Sequence, residues 1–435
     1  MKINIAYDRL GEYNLSHTDL KDRFKTAPKW IEHACDEVVE NTVDYFIQQQ
    51  QKFIYCLGTV GGPKWWLRHI DDTDDNLLFN NLSVSLIKHA QQGSCWIHLD
   101  QSLEGFPLKE VKTSYNKPRV VDFYKILHDN LEHFNINPNQ LIYSTSNLIE
   151  EDQYNKWCEK NSVTDKFHIV SAPFFACATQ QRGFFDWTDK PDLRDEPHDV
   201  KYQAQLNYKS THAISLFNCL NRVQRTHRAT FVAMLNYYNL VTNNIVSHDV
   251  LEPHYKQSLK VNYWQEHPAF EEPNFSRFKN KLPLTYDMDD FSVNHAQNFN
   301  QEIYLKTWIS VVSETLYEDW QPTVFFSEKI FKPIRAHHPF ILVCHPGAIA
   351  WLKKLGFQTF SNWWDESYDQ EPDPVKRMQM ICEVLLEIKK INTFDWFNTY
   401  QSMEKVLRHN YTNLLSTNWF QQSYQDVLEK TYEKI

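Results

Sequence analysis

The stretch Ala213-Ile-Ser-Leu-Phe217-Asn-Cys-Leu-Asn221-Arg222-Val-Gln-Arg225-Thr226-His227-Arg228 decides how this chain is read. Its apolar opening, 213–217, reads as a strand, and 226–238 has the apolar spacing of a helix. Three arginines and a histidine fall within the seven residues 222–228, where strand gives way to helix. In a parallel sheet that junction faces the ligand crevice, and the helix N-terminus adds partial positive charge. The planar fork of arginine donates two parallel hydrogen bonds and stays charged, which suits phosphate. Arg222, Arg225 and Arg228 are therefore phosphate candidates. The competing reading is a solvated basic turn paired with surplus acids.

Outward from this junction the same alternation continues. Asn244-Ile-Val-Ser247, Trp308-Ile-Ser-Val-Val312 and Pro339-Phe-Ile-Leu-Val343 read as strands, with a helix over 328–336. Upstream, strands are expected at 2–7, 53–58, 95–100, 141–146 and 167–171. Between them lie a helical stripe over 120–131 and a helix capped by Ser146 that runs to Trp157. Strands alternating with helices predict parallel α/β layers. The polar, proline-containing stretch 186–199 reads as a link between lobes. From Asp373 onward, Val375, Met378, Ile381, Cys382, Leu385 and Ile388 form one helical apolar stripe. The expected fold class is α/β, with two Rossmann-like lobes at 1–200 and 201–372 and a helical C-terminal tail at 373–435.

Composition narrows the function. The chain has 435 residues, of which 42% are hydrophobic and 15% aromatic, which excludes a disordered chain. It has only nine glycines and lacks both GxxxxGK[ST] and GxGxxG, so a bound nucleotide must be held by side chains and helix N-termini. Acids outnumber bases 55 to 45, and the net charge of −10 argues against a nucleic-acid partner, though a local basic cluster can still grip one phosphate. The eight cysteines are scattered without a CxxC pair and read as buried thiols in a reducing compartment. The first residues lack a signal-peptide apolar block, and no run of eighteen apolar residues occurs. A cytoplasmic protein without membrane insertion is expected.

Further polar clusters sit at predicted strand ends. In Phe325-Phe-Ser-Glu328-Lys329-Ile-Phe-Lys332-Pro333, Ser327 reads as an N-cap, with Glu328 and Lys329 in the first turn. Lysine there opposes the helix dipole unless it faces an anion. Glutamate can accept from two vicinal hydroxyls, such as those of a ribose. A surface helix start explains the motif equally well. Strand 308–312 ends in Ser313-Glu314-Thr315, which puts Glu314 at a crevice or capping position. In the first lobe, Asp100-Gln-Ser-Leu-Glu104-Gly105 follows a strand and offers Asp100 and Glu104 as candidate general bases. Thr59-Val-Gly61-Gly62 would permit a close approach. Asp287-Met-Asp289 and Asp72-Thr-Asp74 have the spacing of an Asp-x-Asp metal motif, which is common by chance in an acidic chain. The nineteen histidines form no HExxH or Cys/His zinc spacing. Trp65-Trp66 and Trp363-Trp364 can stack on sugars or simply fill cores.

Taken together, Arg228 with its helix, Ser313-Glu314-Thr315, Phe325-Phe-Ser-Glu328-Lys329 and Pro339-Phe-Ile-Leu-Val343 resemble the second lobe of fucosyltransferase-like GT-B glycosyltransferases, over residues 210–370. A wider set, including Pro346-Gly347, Leu355-Gly-Phe357 and Asp365-Glu-Ser-Tyr-Asp369, is similar to proteins of bacteriophages and marine bacteria. The first lobe is matched only by topology. The resemblance implies a GT-B enzyme, inverting and metal-independent. It would take a nucleotide-diphospho-sugar in the second lobe and a glycan or other hydroxyl acceptor in the first, with no further cofactor. Arg228 and Lys329 would neutralise the diphosphate, Glu328 would hold the ribose, and Glu314 would contact the donor sugar or its phosphate. Ser327 stands where the family has threonine and Phe325 where it has tyrosine, while His337-His338 replaces a small-residue segment. The base is not alignable, so Asp100 and Glu104 stay candidates. Two other readings are a carbohydrate-binding protein without catalysis and a phage-type DNA-base glucosyltransferase. The retained Arg228, Glu328 and Lys329 argue against the first, and the acidic balance against the second.

Overall fold

The computed structural model describes residues 2–6, 35–58, 79, 82–102, 105, 111–112, 120–180, 198–221, 223–251, 267–285, 301–317 and 323–432. The chain divides into two compact units. One comprises Met1–Cys177, Gln321–Phe325 and Asn418–Ile435, and the other Ala178–Trp320 and Phe326–Thr417.

In the first unit the six strands β1 (Lys2–Ala6), β2 (Glu37–Asn41), β3 (Phe53–Gly58), β4 (Cys95–Gln101), β7 (Leu141–Thr145) and β8 (His168–Ser171) form one sheet. A two-residue antiparallel pair, β5 (Val111–Lys112) and β6 (Val120–Val121), lies apart from it. The sheet order is β2-β1-β3-β4-β7-β8 and every pairing is parallel. Central β4 and β7 are almost wholly buried, as strands covered on both faces must be. Edge strand β2, Glu-Val-Val-Glu-Asn, is half-exposed and charged, so its sequence gives no core signal. Helices α1 (Val43–Gln48), α2 (Val84–Gln91), α3 (Phe123–His133), α4 (Glu150–Lys160) and α5 (Phe174–Gln180) alternate with the strands.

Two local expectations are corrected here. The helix expected over 120–131 starts at Phe123, because Val120 and Val121 pair as a strand and Asp122 caps the helix through the amide of Lys125 at 3.1 Å. Ser146 does not cap the next helix. Its hydroxyl donates to the carbonyl of Ser102, and α4 begins at Glu150 without a side-chain cap. Glu150, Glu151 and Asp152 in the first turn of α4 complement its dipole instead.

In the second unit β9 (Ser215–Asn221), β10 (Ile245–His248), β11 (Thr307–Ser313) and β12 (Phe340–Val343) form a parallel sheet in the order β10-β9-β11-β12. Its helices are α6 (His198–Thr211), α7 (Thr226–Tyr237), α8 (Asn274–Lys279), α9 (Gln301–Leu305), α10 (Glu328–Arg335), α11 (Ala348–Lys354), α12 (Pro374–Lys389), α13 (Thr393–Ser402) and α14 (Glu404–Ser416). All seven residues of β11 are buried. The stripe read from the sequence packs as expected: Met378, Ile381, Cys382, Leu385 and Ile388 of α12 are buried behind an Asp373 cap. The final helix, α15 (Trp419–Tyr432), belongs to the first unit, where the Tyr424 hydroxyl donates to Ser144 Oγ at 2.9 Å. The fold class expected from the sequence, two Rossmann-like α/β units with a helical C-terminal region, is the one observed. Among the described residues no helix is long and apolar enough to cross a membrane.

Candidate functional site

Strand order locates the candidate site. From β9 the chain moves outward to β10, then returns to lay β11 on the other side of β9. Where the order reverses, the loops leaving neighbouring strands diverge and open a crevice at their carboxyl ends. In the second unit those ends are Asn221 and Ser313. The residues that follow them are the arginine-rich junction and Ser313-Glu314-Thr315.

Arg228, in the first turn of α7, is 2% exposed. Its Nη1 donates to the Val223 carbonyl at 2.9 Å, and its Nη2 donates to the carbonyls of Ser313 and Glu314 at 3.3 and 3.2 Å. His227 Nε2 donates to the same Glu314 carbonyl at 3.0 Å, and its ring stacks on Tyr317 at 5.4 Å. Burial, and then the neighbouring Arg228, hold His227 well below the usual imidazole range. Burial first and Arg225 second lower Arg228 to about 10. These two arginines are thus close enough to repel, which an anion between them would relieve.

Glu314 collects the other side of the site. Its Oε2 accepts the Ser327 hydroxyl at 2.5 Å and the amides of Thr315 and Ser327 at 3.1 and 3.3 Å. Burial raises its pKa, while Lys329 and the Ser327 hydrogen bond pull the other way. Ser327 is the N-cap of α10, as expected. Its Oγ also accepts Lys329 Nζ at 3.1 Å, and that ammonium lies 2.8 Å from Glu328 Oε1. The Lys329 side chain is 30% exposed and the Glu328 side chain 11%. Burial alone would raise Glu328, but Lys329 and then Lys332 outweigh it and hold its carboxyl below the usual range.

Arg228, Glu314, Ser327, Glu328 and Lys329 therefore meet around one residue, Glu314. Arg225 is the N-cap residue of α7 and makes no capping bond with its side chain. Several buried polar atoms here have no partner among the described residues: Nε of Arg225 and of Arg228, Oε1 of Glu314, Oδ1 of Asn221 and Nε2 of His248. Buried polar atoms are nearly always paired, so such a cluster marks a place where another polar group fits. A lysine ammonium has three donors, and the contacts above use two.

The other sequence candidates are distributed differently. Glu104, Arg222, Asp287 and Asp289 lie outside the described residues, as do Thr59–Gly62, Trp65-Trp66 and Asp72-Thr-Asp74. Asp100 is the penultimate residue of β4 in the first unit, half-buried, with Oδ1 accepting the Ser102 amide at 3.0 Å and its hydroxyl. Gly105 there has a clear steric reason: a Cβ would sit 2.4 Å from the Phe325 ring. Phe325 thus packs in the first unit, and the tyrosine of the resembling family is replaced by a buried ring. Trp364 is buried against Phe360, and Trp363 donates to Ser402 Oγ at 2.8 Å. His338 is buried and bridges the Ser310 hydroxyl and the Thr307 carbonyl.

Sequence reasoning did not commit to His227, although it stands inside the quoted cluster. It also read past Arg377, which lies on the buried side of α12. Arg377 is 1% exposed, donates to the carbonyls of Tyr317 and Glu371 at 2.7 Å, and covers the Tyr317 ring at 4.4 Å. It fixes the segment leaving β11. A lone arginine beside an apolar helical stripe was its only signal.

No protein-family profile and no curated protein matches this chain. Among solved structures it is similar to the N-terminal domain of Candida albicans trehalose-6-phosphate phosphatase, with 11% identity over 98% of this chain and 96% of that one and a TM-score of 0.39. It is also similar to α,α-trehalose 6-phosphate synthase from Burkholderia multivorans, at 12% identity, 91% and 84% coverage and a TM-score of 0.38. A third is S. aureus MnaA with UDP, at 9% identity, 100% and 97% coverage and a TM-score of 0.34. None of the three is described as a fucosyltransferase. TM-scores this low carry no argument, and the fold rests on the strand order itself.

Proposed function

We propose that the protein is a GT-B-type glycosyltransferase whose second unit binds the diphosphate of a nucleotide sugar at the crevice between β9 and β11. The observation that carries this reading is that Arg228 of α7 and Ser327, the cap of α10, both bond Glu314, with Lys329 on Ser327 and Glu328, beside unpartnered arginine nitrogens. Departure of a nucleoside diphosphate builds negative charge on the leaving oxygen. Fixed cations stabilise that charge best where water is excluded. In this reading Lys329 and Arg225 contact the phosphates. Arg228 contributes charge from beneath, its two terminal nitrogens being engaged with backbone carbonyls. Arg222 is retained as a further phosphate ligand on sequence grounds alone.

Glu328 would release Lys329 toward the phosphates and accept the ribose hydroxyls. Glu314, tied to Ser327, would position the cap of α10 and contact the donor. Asp100 and Glu104 are the proposed bases that take the acceptor's proton, for an inverting and metal-independent transfer.

The test is thermal unfolding of the full chain with GDP, UDP, dTDP and CMP and their sugar conjugates, with Mn²⁺ or with EDTA. The reading expects a nucleoside diphosphate to raise the midpoint in EDTA, since a ligand that binds only the folded state stabilises it. No shift with any diphosphate would overturn it, and a shift only with Mn²⁺ would overturn the metal-independent part.

A further inference from the structure

A second polar cluster in the same unit lies away from the strand ends. His198 opens α6 and is 8% exposed, while His337 follows α10 and is 1% exposed. Their ring centroids are 4.4 Å apart, and none of the four ring nitrogens has a hydrogen-bond partner among the described residues. A neutral imidazole carries one N–H and one lone pair, and folded proteins rarely bury both unpaired. An unprotonated imidazole nitrogen is a ligand for transition metals.

Carboxylates stand beside the pair. Single ligand atoms of His198, Asp199 and Glu404 all lie within 4.8 Å of one another. Both carboxylates are held by Arg408, whose Nη2 donates to Asp199 and, at 2.9 Å, to Glu404 Oε1. The Arg408 side chain is 47% exposed, so it can turn into solvent. Tyr202 stacks on His198 at 5.6 Å and Tyr411 lies 4.2 Å from His337, walling the imidazoles from water. The nearby Lys201 ammonium donates to the Tyr411 hydroxyl at 3.1 Å.

We propose that His198, Asp199 and Glu404 form a structural site for a divalent transition metal of the zinc class, with the buried His337 ring packed behind His198. One imidazole and two carboxylates suit the nitrogen and oxygen chemistry of zinc with solvent in the fourth position, and an imidazole ligand disfavours calcium and magnesium. Metal entry exchanges one cation for another: the ion takes the two carboxylates and Arg408 leaves them. The ion would tie the start of α6 to the start of α14. No zinc spacing is visible in the sequence because the ligands come from two distant segments. This inference does not depend on the proposed donor site.

The experiment uses the full chain freed of metal by a chelator, then titrated with zinc against a chromophoric competitor and, separately, with cobalt(II). One equivalent should bind, with a raised unfolding midpoint and the intense visible absorption of tetrahedral cobalt. His198→Ala and Glu404→Gln should each weaken zinc by more than about a hundredfold, since even outer-sphere partners are worth roughly ten- to a hundredfold. Arg408→Ala should bind zinc as tightly as the parent or more tightly. Glu404 is partly exposed, so Glu404→Gln keeps the test valid if the buried histidine variant does not fold. Absence of stoichiometric binding, or unchanged affinity in Glu404→Gln, would overturn the proposal.

Discussion

The guanidinium of Arg228 donates to the backbone carbonyl of Glu314 at 3.2 Å, while the carboxylate of Glu314 accepts the hydroxyl of Ser327 at 2.5 Å. One residue thus joins the first turn of α7 to the cap of α10. A cation buried to satisfy carbonyls and a carboxylate buried to satisfy a cap are structural arrangements in themselves. What they leave over, the Nε nitrogens of Arg225 and Arg228 and one donor of the Lys329 ammonium, is what a ligand would use.

Arg228→Met should therefore destabilise the fold itself. Three carbonyls, of Val223, Ser313 and Glu314, lose the arginine donor, while Glu314 keeps that of His227. Charge-assisted hydrogen bonds are worth about 1.5–3 kcal/mol each, with non-additive totals, so a loss on the order of 3 kcal/mol is expected in urea unfolding. A loss below about 0.5 kcal/mol, the scale of a surface change, would contradict the role assigned to Arg228.

Glu314→Gln should change how stability varies with pH. Burial raises the folded-state pKa of Glu314 above its ordinary 4.5, so the native state holds this proton more tightly than the unfolded chain. The favourable contribution is complete below 4.5 and is lost as pH rises through the raised value. The variant lacks that loss, so its stability relative to the parent should improve as pH rises from 4.5. Parallel stability–pH curves for the two proteins would show that Glu314 does not titrate this way.

Acid should also weaken the second unit through its buried histidines. His227, His248, His338 and His345 are all depressed by burial, His345 to about 4. Each contributes stability above the unfolded value of 6.5 that is lost as pH falls toward its folded value. For His345 the loss is on the order of 3 kcal/mol by about pH 4. The unfolding midpoint should fall from pH 6.5 downward. A midpoint flat between pH 6.5 and 5 would contradict the burial of these rings.

Gly105→Ala tests the close packing in the first unit. Its Cβ would meet the Phe325 ring at 2.4 Å, and the Gly105 carbonyl accepts the Thr323 hydroxyl at 2.6 Å. Overpacking of this kind costs about 1–3 kcal/mol. An unfolding midpoint equal to that of the parent would show that the Phe325 ring moves aside freely.

The sheets were legible because buried parallel strands are continuous apolar runs: Trp308–Val312 and Phe340–Val343 announce themselves. Edge strand β2 was not, since two glutamates break its apolar run. Ser146 has the chemistry of a cap, yet its hydroxyl found the Ser102 carbonyl, a partner set by tertiary structure. In the site, Arg228, Ser327 and Lys329 were legible from their place at strand-to-helix junctions. That Arg228 spends two nitrogens on backbone carbonyls was not, because the segment leaving β11 lies far away in sequence. His198 and His337 illustrate the same limit, for only folding brings their rings together.

The central claim is that Lys329 binds phosphate at the end of β11. It is tested most directly by calorimetric titration of the full chain with the nucleoside diphosphate that gives the largest thermal shift, in EDTA, for the parent and for Lys329→Ala. The lysine is partly exposed, but its partner Glu328 is buried, so its removal should lower the unfolding midpoint, and the titration is run well below the variant's midpoint. The account predicts that the nucleotide binds about ten- to a hundredfold more weakly to the variant, equivalent to about 1.4–2.8 kcal/mol. Equal affinity for the two proteins would contradict it.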